Sequence, residues 1–178
     1  MEKVSMQDLN RLSPGDFKTA AKLPLVLVLD NVRSGLNVGS IFRTADAFAL
    51  RQVVLCGITA QPPHREILKT ALGSTESVDW SYYHTAAEAI RQLKLDGYLV
   101  YAVEQTRQKI WLQNFAPMPD SHYALVLGNE VDGVDDQALA LCDGVLEIPQ
   151  FGTKHSLNVA VAAGNVTWEI ARKILYPA

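Results

Sequence analysis

Apolar runs of strand length alternate along this chain with segments whose apolar residues recur at helical spacing. The run LPLVLVLDNV, residues 23–32, is continuous in the manner of a strand buried on both faces. A Gly/Asn-rich loop follows, and 40–50 then places Ile41, Ala45, Phe48 and Ala49 on one face of a predicted helix. Further strands are predicted over 52–59, over 98–105, from Tyr123 into a loop at 128–134, and over 144–149. The stretch 62–80 reads as loop, short helix stopped at Gly73, and loop again. A helix over 85–97 has Thr85 as N-cap, Glu88 completing a capping box and Gly97 just past its end. A short helix with an acidic start follows at 135–144, and a long one spans 156–176. Residues 1–22 are less apolar and read as a leading arm, with 23–178 as a single domain.

Strands that alternate with helices predict an α/β fold: a mainly parallel sheet flanked by helices on both faces. Such sheets bind ligands in the loops beyond the carboxyl ends of their strands. Three loops predicted at that edge are unusually polar: 30–43, 128–134 and 149–158. The last helix carries two apolar stripes. One is Leu157, Val161, Trp168, Ala171 and Leu175; the other is Val159, Val166, Ile170 and Ile174. A surface helix needs one, so the second implies deep burial or a partner chain.

Composition changes this picture little. The 178 residues are 48% hydrophobic and 20% charged, enough for one sizeable core. No run of 18 apolar residues argues for a membrane span, and the polar start has no secretion-signal core. The cytoplasm is the expected location. Cys56 and Cys142 sit in apolar contexts and read as buried reduced thiols; no Cys/His spacing suggests zinc, and no metal is expected. The net charge of −3 excludes a surface coated in positive charge but not a local basic patch.

The chemistry-bearing stretches lie in the three loops. The first contains GLNVG rather than G-x-G-x-x-G and lacks a Walker lysine, which leaves a dinucleotide or NTP site poorly supported. It offers Asn31, Arg33, Asn37, Gly39 and, near the start of the predicted helix, Arg43; a surface arginine in a tight turn is the plainer reading. The second has Gly128, Asn129, Glu130 and Gly133, where two glycines allow close approach of a ligand, or simply a turn. In the third, Pro149 ends the strand, Gly152 permits a bend and Ser156 can cap the next helix, with Asn158 in its first turn. Capping does not explain why Asn158 adjoins an apolar run. His155 beside Ser156 is no triad, and G-x-S-x-G is absent.

Together the three loops resemble the three motifs of the SpoU (TrmH) family of SPOUT RNA methyltransferases. Motif 1 is Asn31, Asn37, Gly39, Arg43, Thr44 and Ala45; motif 2 runs from Leu127 to Gly133; motif 3 runs from Ile148 to Ala162. The resemblance covers about residues 23–175. It implies an α/β domain with a C-terminal trefoil knot, which periodicity does not reveal. It also implies a homodimer through the last helix and methyl transfer from S-adenosylmethionine to a ribose 2′-hydroxyl of tRNA or rRNA. The cofactor would be held by Leu127, Gly128, Asn129, Gly133, Ile148, Pro149, Gly152, Ser156, Leu157 and Asn158. Arg43 would be catalytic, with Asn37, Glu130, Ser156 and Asn158 orienting it, the substrate and the loops. RNA contacts would come from Asn31, Arg33, Arg43, Lys69 and Lys154. With about twenty residues ahead of the first strand, the chain reads as close to a bare catalytic core.

A guanidinium is a poor general base, so phosphate binding and stabilisation of the developing alkoxide are the expected roles of Arg43, with Glu130 the alternative proton acceptor. Two positions depart from the family pattern: Val131 stands where glycine is frequent, and Gln150–Phe151 where a methionine or similar is expected. The alternatives are a non-catalytic RNA- or cofactor-binding homologue on the same fold, an unrelated α/β enzyme on a small metabolite, and a purely structural dimerisation module.

Overall fold

The apolar run at 23–32 forms the central strand β1, Leu23–Asp30, with every residue but Pro24 buried. The structure, a computed structural model, describes residues 1, 3–5, 8, 9 and 11–176. Around β1 the chain lays down β2 (Leu50–Cys56), β3 (Trp80–Tyr83), β4 (Tyr98–Val103), β5 (Ile110–Trp111), β6 (His122–Leu127) and β7 (Gly144–Glu147). They form one sheet in the order β3-β2-β1-β6-β4-β7-β5. Each pairing is parallel. The fold is therefore the expected α/β arrangement.

The two-residue period of β1 splits the core. Leu25, Leu27 and Leu29 face one side, packing with α2 (Gly35–Ala47), α3 (Arg65–Ala71) and α7 (Val159–Leu175). Val26 and Val28 face the other, packing with α5 (Ala86–Leu95) and α6 (Asp136–Leu139). The remaining helices are short: α1, Pro14–Thr19, capped by Ser13, and α4, Ser74–Ser77. Thr85 caps α5 by accepting from the Glu88 amide, as its sequence predicts. Of the predicted arm, residues 2, 6, 7 and 10 lie outside the described residues, as do 177 and 178 at the domain's end.

Several boundaries differ from the sequence expectation, each for a local reason. Helix α2 starts at Gly35, five residues before the predicted start at 40, because Ser34 accepts from the Asn37 amide and begins the helix inside the polar loop. Helix α7 starts at Val159 and is capped by Asn158, whose Oδ1 accepts from Ala160 and Val161 amides at 2.9 and 3.3 Å; Ser156 is not the cap. The short edge strands β3 and β5 were not predicted, since WSYY and IW carry too little pattern. Both cysteines are free; Cys56 is buried and Cys142 half-buried. Burial pushes their thiols up to about 12 and about 11, the wrong direction for a nucleophile.

The two stripes of α7 have different fates. Val159, Val166 and Ile170 are buried, and so is Ala171. Leu157, Val161, Trp168 and Leu175 stay 37–58% exposed, with Trp168 leaning on Phe48 at 6.1 Å between ring centroids. Among the described residues no helix is long and apolar enough to cross a membrane.

Helices α2 and α3 touch at Gly39, where an added Cβ would run into Thr70 Oγ1 and the Ile67 carbonyl. Backbone cannot move aside cheaply, so Gly39→Ala should cost about 1–3 kcal/mol. Urea unfolding checks this; an unchanged midpoint would mean that the α2–α3 contact has slack.

Candidate active site

A sheet with only parallel pairings sends all its carboxyl ends to one edge. The loops after β1, β6 and β7 therefore share that edge, although they lie far apart in sequence. Side chains then tie them together. Asn37 Nδ2 donates to Glu130 Oε1 at 2.8 Å, joining the first loop to the second. Asn158 Nδ2 donates to Asn37 Oδ1 at 3.2 Å, joining the third to the first. Asn37 is the hinge of this relay, because an amide both donates and accepts. Asn158 also caps α7, so one residue sets the helix start and the loop contact.

The 128–134 loop is built to be tight. Asn129 Oδ1 accepts from the Val131 and Asp132 amides, both at 2.9 Å. The Asn129 and Gly133 backbones bond to each other at 3.1 and 3.2 Å. A Cβ on Gly128 would overlap the backbone of Gly133 and Val134, and Gly133 itself has φ 74°, so both positions need glycine. Two carboxylates outside the motifs anchor the loop from below. Glu104 Oε2 accepts from the Val134 amide at 3.2 Å, and Asp30 Oδ2 from the Asp135 amide at 2.8 Å. Neither was singled out in the sequence. Asp30 ends an apolar run, and only its near-complete burial shows that it holds something.

Between the β4, β6 and β7 ends lies a cleft of about 510 Å³. Of the predicted cofactor residues, Leu127, Gly128, Asn129, Gly133, Ile148, Ser156 and Leu157 line it, as does Glu130. Its walls also carry Glu104, Asp132, Asp136 and Glu147, and no lysine or arginine. Such a cleft attracts a cationic ligand and repels a polyphosphate.

Other predicted residues lie elsewhere. Pro149, Gly152 and Lys154 line an adjoining hollow. Nothing crowds Gly152, so no close approach within the chain requires a glycine there. Lys69 is exposed on α3. Arg33 is exposed and pairs weakly with Asp132 at 3.9 Å. Asn31 works within the protein: at φ 54° its Oδ1 accepts from the Ile58 amide at 3.1 Å and its Nδ2 donates to Asp30 at 2.8 Å. It fastens β1 to the end of β2, a structural duty that the sequence did not show.

Arg43 departs most from expectation. The early start of α2 puts it eight residues past Gly35, about 12 Å down the helix and not in its first turns. It lies on the outward face with the exposed Leu36 and Ala47, outside the lining of the cleft. Among the described residues it has no hydrogen-bond or ion-pair partner.

Burial raises the Asp30 carboxyl above its usual value of 3.8, while the Asp135 amide pulls the other way without cancelling it. The native state thus holds this proton more tightly than the unfolded chain does. Between 3.8 and the raised folded value, stability falls as pH rises, and above it the buried charge carries a constant cost. A carbon-NMR titration should show an aspartate carboxyl titrating above the usual aspartate value of 3.8, and that signal should vanish in Asp30→Asn. An Asp30 signal at the ordinary value would contradict the burial argument.

The comparisons with known proteins agree with this fold. The SpoU rRNA Methylase family model matches residues 24–168. The chain is 33% identical over 150 residues to a 23S rRNA (guanosine-2'-O-)-methyltransferase RlmB of Neisseria meningitidis, covering 84% of this chain and 59% of that relative. An AdoMet-bound rRNA methyltransferase from Sinorhizobium meliloti superposes with TM-score 0.78 at 28% identity, over 92% of this chain and 61% of that one. A structure concerned with 2-OH methylation of C/U34 on tRNA superposes with TM-score 0.74 at 27% identity, over 85% of this chain and 97% of that one. The chain thus spans about three fifths of the length of the first two relatives.

Proposed function

The chain belongs to the SpoU rRNA methylase family, and from that premise we propose that it transfers a methyl group from S-adenosylmethionine to a ribose 2′-hydroxyl of ribosomal or transfer RNA. One observation carries the reading: the Asn158–Asn37–Glu130 relay gathers all three family motifs beside a single acidic cleft.

The donor set fits this cofactor. A sulfonium and an ammonium outweigh one carboxylate, so the molecule is cationic and suits walls whose five carboxylates, Glu104, Glu130, Asp132, Asp136 and Glu147, outnumber the two cations paired with them, Arg33 and Lys109. Leu127, Gly128, Ile148 and Leu157 would hold it, using main-chain groups that the strand ends already fix. When bound, S-adenosylmethionine supplies an electrophilic methyl group on a leaving group activated by positive charge.

The chain's own task is then to align the 2′-oxygen and help it shed its proton. Alignment alone supplies much of such an acceleration. Arg43 binds the phosphate beside the target ribose and stabilises the developing alkoxide, while proton removal falls to that phosphate or to water. Glu130 is the alternative acceptor, because it lines the cleft and its carboxylate is held by the Asn37 amide.

Arg43 stands outside its own cleft, so the reading requires a second copy. The exposed stripe of Leu157, Val161, Trp168 and Leu175 supplies the surface for a homodimer through α7. Pairing there completes the site by bringing a guanidinium to the acceptor ribose. The C-terminal segment is threaded as a trefoil knot in this reading: β7 lies beyond β6 and β4 from β1, yet α7 returns to pack with α2 in one core.

Isothermal titration should show S-adenosylmethionine binding to the wild-type chain and to Arg43→Ala, whereas transfer to undermodified bulk RNA by that variant should fall about 10²–10³-fold. Binding without transfer by the wild type would favour the non-catalytic homologue. No atom lies within 4 Å of a Cβ at Gly164, between Val161 and Trp168 on the same face. Gly164→Arg should therefore fold, sediment as a monomer, bind cofactor and lose transfer. An active monomer would remove the need for a second copy.

A further inference from the structure

Beyond the cofactor cleft, the edge strand β5 and the loop after β7 enclose a hollow of about 210 Å³ lined by Gln105, Trp111, Phe151, Lys154 and His155 among others. That is below the range for whole small-molecule sites and nearer the size of one ring system. Phe151 is 96% exposed and Trp111 37% exposed, so two aromatic rings stand open at one small site. Trp111 is held rigidly. Lys109 Nζ sits 4.3 Å from its ring centroid and also pairs with Glu147 Oε2 at 2.6 Å, beside Trp111 in the register of β5 and β7. Lys109 is not part of the hollow's lining, whereas Trp111 is. Lys154 and His155 put cationic and hydrogen-bonding groups at the rim.

We propose that this hollow stacks an unpaired RNA base flanking the methylated nucleotide, with Trp111 and Phe151 as the platform and Lys154 on an adjacent phosphate. The inference rests on RNA being the substrate. Stacking between aromatic rings suits a base of any identity, and a nearby ammonium suits its backbone. The base is not that of the acceptor itself. The Asn37–Glu130 bond of the relay joins the loops after β1 and β6, and β6 lies three strand spacings, or roughly 14 Å, from β5, which carries Trp111. The hollow shares Gln105, Glu147, Gln150 and His155 with the cofactor cleft, so both are filled along one continuous edge.

Fluorescence anisotropy with a labelled short single-stranded oligouridylate, and with the same strand annealed to its complement, tests this in the full chain. The single strand should bind better than the duplex. Removing both rings in Trp111→Ala/Phe151→Ala should weaken single-strand binding about five- to 150-fold, while Trp111→Phe retains it. S-adenosylmethionine affinity should not change in any variant. Equal oligonucleotide binding by the double variant, or a parallel loss of cofactor affinity, would overturn the proposal; the latter would assign the hollow to the cofactor. If the wild type bound the single strand through these rings but methylated no RNA, the enzymatic reading would fail and the stacking site would stand.

Discussion

The hydrogen-bonded relay Asn158–Asn37–Glu130 is the interaction on which the rest of this structure depends. It has meaning only because the sheet is parallel throughout, so that loops separated by 93 and 121 residues meet at one edge. Each member is fixed from elsewhere: Asn37 by the Ser34-capped start of α2, Asn158 by its own capping of α7, and Glu130 by the closed Asn129–Gly133 turn. Geometry at the mouth of the cleft is therefore inherited from helix starts and strand ends. Asp30 and Glu104 extend the same logic downward by spending buried or cramped carboxylates on amides of the second loop.

Much of the architecture was legible in the chain because its strongest signals are long. The continuous run of β1, the capping box of α5 and the strand–helix alternation each state one thing repeatedly. Short elements lack that redundancy, which is why β3 and β5 escaped. Helix starts were misjudged where the loop itself is helical: Ser34 and Gly35 belong to α2, although their polar neighbours read as loop. At α7 two residues competed for the cap, and Asn158 won because its side chain reaches two free amides while Ser156 lies on the wall of the cleft.

Of the candidate site, the residue types were legible and their distances were not. Seven of the ten expected cofactor residues line one cleft, because strand ends dictate where main chain goes. Arg43 shows the limit. Its place in a motif says nothing of helix length or phase: the earlier start of α2 sets it further from the loop, and its register with the exposed Leu36 and Ala47 faces it outward. Asn31 shows another limit: nothing in its polar loop tells that its side chain bonds to Ile58 and Asp30 within the protein. The proposed second copy of the chain would answer both the outward turn of Arg43 and the open stripe on α7.

Charge unites these features. The chain is acidic overall and its cleft is more so, while exposed cations such as Arg43, Lys69 and Lys154 stand apart from it. That separation suits a cationic methyl donor inside and a polyanionic acceptor outside. The central claim is that the acceptor atom is a ribose oxygen. The most direct test is nucleoside mass spectrometry of undermodified RNA incubated with the protein and isotopically labelled S-adenosylmethionine. The account predicts that the label appears in a 2′-O-methyl nucleoside; label confined to a base, or none in RNA, would contradict it.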